Sequence, residues 1–94
     1  MTVLQENAAT RGKFYILHDG AEAAAMTYTW SGPDRIIIDH TEVSDVLRGT
    51  GAGKQMVAQA VAFARDHHIR ILPLCPFAKS VFDKEVEFRD VLFH

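Results

Sequence analysis

At 94 residues the chain has room for one domain and one modest core, since a domain typically takes about 100–200 residues; the expectation is a single domain over residues 1–94. A content of 48% hydrophobic and 23% charged residues excludes disordered, collagenous and fibrous classes. Ten Lys and Arg against twelve Asp and Glu leave a formal charge of −2. Such a balance lacks the basic field that general nucleic-acid binding needs, although it leaves room for a local anion site.

Residues 1–13 are short and polar and are expected to form a loose leading segment. Residues 14–17 read as a strand, and Asp19-Gly20 after them is a hairpin signal, because a type I′ turn needs positive φ at both central positions. Between this turn and Ser31-Gly32-Pro33-Asp34 lies one segment of divided character. Its first half, Glu22-Ala23-Ala24-Ala25-Met26, has helix formers and its second, Thr27-Tyr28-Thr29-Trp30, strand formers. Flanked by turns on both sides, it is read as one strand. Residues 35–43 begin with Ile36-Ile37-Ile38, a β-branched run expected in a strand covered on both faces. After Arg48-Gly49-Thr50-Gly51-Ala52-Gly53-Lys54, Met56, Val57, Ala60, Val61 and Ala64 form the stripe of an amphipathic helix that ends near His67-His68. Residues 69–74 are the fourth predicted strand. Pro76 suits the first turn of a second helix, which Phe77, Val81 and Phe82 would anchor, and residues 85–94 read as helix or turn.

The fold class is therefore α/β: an antiparallel three-strand meander, then a βαβ unit with parallel strands and a short C-terminal helix. A single cysteine makes no internal disulfide, and the five histidines lack metal-ligand spacing, so no metal is expected. Neither a signal-peptide pattern nor an apolar run near the roughly 18 residues of a membrane span is present, which points to a cytoplasmic domain with no membrane or nucleic-acid partner.

In a parallel pair the C-terminal ends of both strands share one edge, where open α/β sheets bind ligands. Here that edge collects His40, Glu42, Val43, Cys75 and the glycine-rich loop that opens the first helix. Glycines 49, 51 and 53 let the backbone approach a ligand, and a phosphate or pyrophosphate is the natural guest of a helix N-terminus. A Walker A loop is excluded, because Arg48 replaces its first glycine and Gln55 its Ser/Thr. The dinucleotide fingerprint is excluded by the G-x-G-x-G spacing.

What remains is R-x-x-G-x-G over Arg48-Gly49-Thr50-Gly51-Ala52-Gly53, which resembles the coenzyme A pyrophosphate loop of the GNAT superfamily of N-acetyltransferases. With His40-Thr41-Glu42-Val43 before it and Pro73-Leu74-Cys75-Pro76-Phe77 after it, the chain resembles the small stand-alone YjdJ-type GNAT-like domains, best over residues 36–77. The resemblance implies a minimal GNAT-like fold with acetyl-CoA or CoA between the splayed ends of the parallel strands. It implies main-chain bonds from Val43 to the pantetheine arm. The amides around Gly49, Gly51, Gly53 and Lys54 would hold the pyrophosphate, with Arg48 beside it. The chain departs from the pattern at Ser44, where proline is common, and at Lys84-Glu85-Val86-Glu87-Phe88, where a His-Pro-Glu-Tyr-like tail is usual. It also has no tyrosine beyond Tyr28, where larger relatives place a tyrosine general acid.

The candidate catalytic residues are Cys75, Glu42 and His40. Cys75, just before the Pro76 helix, is placed to protonate a CoA thiolate or to accept an acyl group; the bland reading is a buried small hydrophobe. Glu42 is a candidate general base, set against a surface carboxylate; His40, on the same strand face, is the second choice. Pro73 cannot donate a ladder bond and would help the parallel strands part. The leading expectation is an acetyl-CoA-dependent N-acetyltransferase acting on an unidentified small-molecule or peptide amine. The alternatives are a non-catalytic acyl-CoA or CoA-binding module and a protein-interaction domain. A short sheet with an exposed edge leaves room for a homodimer.

Overall fold

The computed structural model describes residues 1–93. Strands β1 (Leu4–Asn7), β2 (Arg11–His18), β3 (Ala21–Trp30) and β4 (Arg35–Val43) form an antiparallel meander. A 3-10 turn (Asp45–Leu47) and the glycine loop lead into helix α1 (Ala52–His67). It returns the chain so that β5 (Arg70–Pro73) pairs parallel to β4, and the sheet order is β1-β2-β3-β4-β5. Helix α2 (Pro76–Lys84) and a 3-10 segment (Val86–Val91) follow. The expected tail beyond Glu85 thus holds as 3-10 turns; His94 lies outside the described residues.

The leading segment is not loose. Residues 4–7 pair with β2 from Leu4↔Tyr15 to Asn7↔Gly12. Its polar composition hides the strand, because its inward side chains are Gln5 and Asn7, which bond to aromatic hydroxyl and indole groups instead of entering an apolar core. The Gln5 amide donates to the Tyr28 hydroxyl at 2.9 Å, that hydroxyl donates to Asn7 Oδ1 at 2.8 Å, and the Trp30 indole donates to the same oxygen at 2.9 Å. Burial pushes the Tyr28 pKa up, so the phenol stays protonated and keeps donating. Gly12 is required beside this network, since an added Cβ would lie 2.3 Å from the Tyr28 ring.

Asp19 and Gly20 both have positive φ, 52° and 80°, as the type I′ turn demands. The helix-favouring alanines of residues 22–26 are strand, because pairing on both sides and burial of Ala24 and Met26 override local propensity. The isoleucine run is not covered on both faces: Ile36 and Ile38 are fully buried, while Ile37 is only half-buried on the opposite face. Beneath α1 the core gathers Phe14, Met26, Tyr28, Ile36, Ile38 and Ile71. The α1 stripe of Met56, Val57, Ala60, Val61 and Ala64 closes it, each large side chain contributing roughly 1.5–3 kcal/mol by burial. His68, in the left-handed conformation at φ 55°, ends α1. The Arg65 guanidinium grips Asp90 at 2.7 Å and ties the final 3-10 segment to that helix.

Candidate functional site

One irregularity in β4 decides which side chains reach the cleft. The register with β3 slips between Thr27 and Tyr28: Tyr28 faces Ile38, whereas Thr27 faces His40, so Asp39 is the extra residue of a bulge. Its carboxylate is held by the hydroxyls of Thr27 and Thr29. Before the bulge Ile36 and Ile38 point to the core. After it Thr41 pairs with buried Met26 and Val43 with buried Ala24, so these two now face inward. His40 and Glu42 consequently share the opposite, exposed face, with His40 Nε2 3.1 Å from Glu42 Oε1.

The parallel strands part where Pro73 stands. Their pairing stops at Ile38↔Pro73, while β4 runs on to Val43. The N–H groups of Leu74 and Cys75 both turn to the Ile38 carbonyl, at 3.0 and 3.1 Å, and the chain then enters α2. This opens a wedge between the end of β4 and the start of α2.

The glycine loop closes the wide end of the wedge. Gly49 (φ 79°) and Gly51 (φ 84°) are left-handed, and a Cβ on either would meet nothing within 4 Å, so they are glycines for backbone conformation at an open surface. Gly51 is the N-cap of α1 and supplies no side-chain bond to its first turn, which also has no acidic residue. The N–H groups of that first turn and the positive end of the helix dipole therefore face the opening. Gly53 meets a packing demand as well: it is buried inside the helix, and a Cβ there would lie 2.4 Å from the Phe77 ring, so its bareness lets α1 and α2 approach.

Together these elements line a cleft of about 460 Å³. Val43, Arg48, Gly49, Gly51, Gly53 and Lys54 all line it, so the six residues singled out for cofactor contact converge on one space. Leu47, Ala52, Phe77, Ser80, Val81, Lys84 and Glu85 complete the wall. These were missed as a set, although Phe77, Ser80, Val81 and Lys84 have the spacing of one helix face. Lys54 Nζ lies 2.6 Å from Glu85 Oε1; the pair raises the lysine pKa and lowers the carboxyl's. Arg48 is bound to Asp45 at 3.1 Å, both side chains well exposed.

The three catalytic candidates are not in that lining. Glu42 borders a second recess of about 400 Å³ with Glu22, Ala23, Ala25 and Val43, so Val43 is common to both spaces. His40 lies beside it on the exposed face. Cys75 is 6% exposed, and its thiol lies 3.2 Å from Thr41 Oγ1, at the apex of the wedge.

The residues fit a CoA-type ligand on structural grounds: an open amide cradle for phosphates at the wide end and an apolar wall of Val43, Leu47, Phe77 and Val81 along the wedge. Comparison with known proteins gives the family and the fold. A family model described as GCN5-related N-acetyl-transferase matches residues 13–91. A solution structure of a GCN5-like candidate N-acetyltransferase from Staphylococcus aureus is 34% identical, with a TM-score of 0.73 over 96% of this chain and 87% of that one. An aminoglycoside N-acetyltransferase in complex with CoA superposes at a TM-score of 0.63 with 13% identity, over 88% of each chain. A predicted acetyltransferase from Clostridium acetobutylicum with acetyl-CoA gives 0.63 at 15% identity, over 80% of this chain and 56% of that one. No curated protein matches significantly in sequence. The last two structures share the fold, and the family match spans most of the chain: it belongs to the GCN5-related N-acetyltransferase family.

Proposed function

We propose that the chain binds acetyl-CoA in this cleft and transfers the acetyl group to an amine. The observation that carries the reading is the uncapped, glycine-lined start of α1 standing at the mouth of the wedge between β4 and α2. The amides around Gly49, Gly51, Gly53 and Lys54 would hold the pyrophosphate, with the Arg48 and Lys54 cations beside it. Val43 would bond the pantetheine arm through its main chain, and Leu47, Phe77 and Val81 would cover it from water.

Acetyl-CoA supplies an acetyl thioester. Glu42, helped by His40, takes the proton that the amine nitrogen loses as it bonds to the acetyl carbon. A main-chain N–H at the end of β4 stabilises charge on the carbonyl oxygen. As the carbon–sulfur bond breaks, the Cys75 thiol at the apex gives its proton to the departing thiolate and is reprotonated from solvent. Val43 connects the recess bearing Glu42 with the cleft, so donor and acceptor would meet at that residue.

A CoA-binding module without turnover is the second reading, favoured by the exposure of His40 and Glu42 and by the absence of all three candidates from the cleft lining. One experiment separates the two. Calorimetric titration with CoA and acetyl-CoA is followed by thiol release in the presence of peptide lysines and polyamines. Binding with amine-dependent thiol release supports the transferase; binding without release across the amine series supports the module; no binding by folded protein overturns both.

A further inference from the structure

Three cations line the cleft, Arg48, Lys54 and Lys84. Arg48 and Lys54, beside the glycine loop, are already paired with carboxylates, but in different ways. Asp45, the partner of Arg48, lies on the same turn, is strongly exposed and stands outside the cleft lining. Glu85, the partner of Lys54, comes from the far wall, is part of the lining and is less exposed, 23% against 90% for Asp45. Its backbone is pinned on both sides: its N–H donates to the Val81 carbonyl at 2.8 Å, and its carbonyl accepts from Phe88 N–H at 3.0 Å. The main chain therefore fixes where the side chain starts, at the end of α2 facing Lys54. It bridges from the end of α2 to the first turn of α1 across the opening where phosphate would enter.

We infer that Glu85 sets the affinity and charge selectivity of the cleft by holding Lys54 across its mouth, so that a ligand must bring enough phosphate charge to take Lys54 over. The inference rests on the acetyl-CoA reading and adds a residue that works against binding. A phosphate that engages Lys54 replaces one charge-assisted bond by another and leaves the Glu85 carboxylate beside a new anion. A singly charged ligand gains nothing from this exchange. A pyrophosphate, with further charge to place on the α1 amides, does. The part of the ligand that carries no phosphate does not feel Glu85. The residue thus discriminates by anionic charge and leaves recognition of the pantetheine arm to the apolar wall.

The test is calorimetric titration of wild type, Glu85→Gln, Lys54→Gln and the double variant with CoA and with pantetheine, which lacks the phosphates. Glu85→Gln is sterically neutral, and circular dichroism checks that each variant is folded. The expected result is CoA binding about three- to tenfold tighter in Glu85→Gln, the scale of an exposed ion pair plus relief of like-charge repulsion. Pantetheine binding stays unchanged, Lys54→Gln binds CoA more weakly, and the gain from Glu85→Gln shrinks in the Lys54→Gln background. CoA binding that is unchanged or weaker in Glu85→Gln overturns the inference and shows a residue that merely positions Lys54, while the acetyl-CoA reading stands. An equal gain for pantetheine also overturns it. Failure of folded wild type and Glu85→Gln alike to bind CoA removes the acetyl-CoA reading and this inference with it.

Discussion

Gly51→Asp separates the backbone demand of the loop from its chemistry. Gly51 has φ 84° and no atom within 4 Å of an added Cβ, so the substitution meets strain but no clash. Left-handed backbone costs an ordinary L-residue about 1–2 kcal/mol, and aspartate less than most because its short side chain bonds locally. At the N-cap the new carboxylate also faces the positive end of the α1 dipole, worth about 0.3–1 kcal/mol. The two effects partly cancel, and the melting temperature moves by no more than about 5 °C in a domain of this size. Binding responds differently. A carboxylate about 5 Å from a phosphate charge repels it by roughly 1–3 kcal/mol at effective dielectric constants of 80 to 20, and the same carboxylate stands at the helix terminus the phosphate would use. The expected loss of CoA affinity is at least about thirtyfold, since about 1.4 kcal/mol is a factor of ten. Gly51→Ala is the control: it carries the strain without the charge, so it should lose about 1 kcal/mol of stability and only a few-fold in affinity. Calorimetry with CoA and thermal melts of both variants make the comparison. A folded Gly51→Asp protein with wild-type affinity refutes the anion cradle.

The other predictions concern the framework and the chemistry. Gly12→Ala places a Cβ 2.3 Å from the Tyr28 ring and 2.7 Å from the Glu6 carbonyl, so β1 or the Tyr28 network must shift; about 3 kcal/mol of destabilisation is expected by denaturant titration, and a neutral substitution would show that β1 is not held as described. The Arg65 guanidinium beside Asp90 holds that carboxyl below its ordinary range. A carboxyl lowered in the folded state contributes stability that is present above its unfolded pKa and is lost as the pH falls through the folded one. Thermal melts from pH 7 to pH 3 should therefore drop at the acid end, and Asp90→Asn should flatten part of that drop; an identical acid slope in the variant sinks the assignment. Cys75→Ala should fold and bind CoA within about twofold of wild type, yet lose a factor of about 100 or more in thiol release if the thiol supplies the proton. An unchanged rate would return Cys75 to a packing role beside Thr41.

What the sequence made legible was whatever a local signal controls. The Asp19-Gly20 turn, the α1 stripe and the Pro76 helix start each depend on neighbouring residues, and each stands where its signal lies. The cradle residues Arg48 to Lys54 are contiguous, so their convergence followed from one loop meeting one helix. β1 was illegible because what makes it a strand is distant: Gln5 and Asn7 are satisfied by Tyr28 and Trp30, more than twenty positions away. Gly53 has a second demand that was illegible for a related reason. Its spacing matches a ligand loop, but what forbids a side chain there is Phe77, from a different helix.

The bulge at Asp39 carries the largest functional consequence of such distant effects. Strict alternation from Ile36 through Val43 would put Ile36, Ile38, His40 and Glu42 on one face, with the last two above the core side of the wedge. The extra residue moves His40 and Glu42 to the exposed face and brings Thr41 and Val43 inward. The sheet edge therefore divides its work. The inward phase after the bulge supplies Val43 to the cleft and Thr41 to Cys75, and the outward phase presents a carboxylate–imidazole pair on the exposed face, where the proposed transfer would need it. If the two faces do meet across Val43, Val43→Asp should put a carboxylate into the cleft and damage transfer and CoA binding together. Substitution of Glu42 alone should damage transfer and leave CoA binding intact. That contrast follows from a single skipped register position, which no periodicity in residues 35–43 announces.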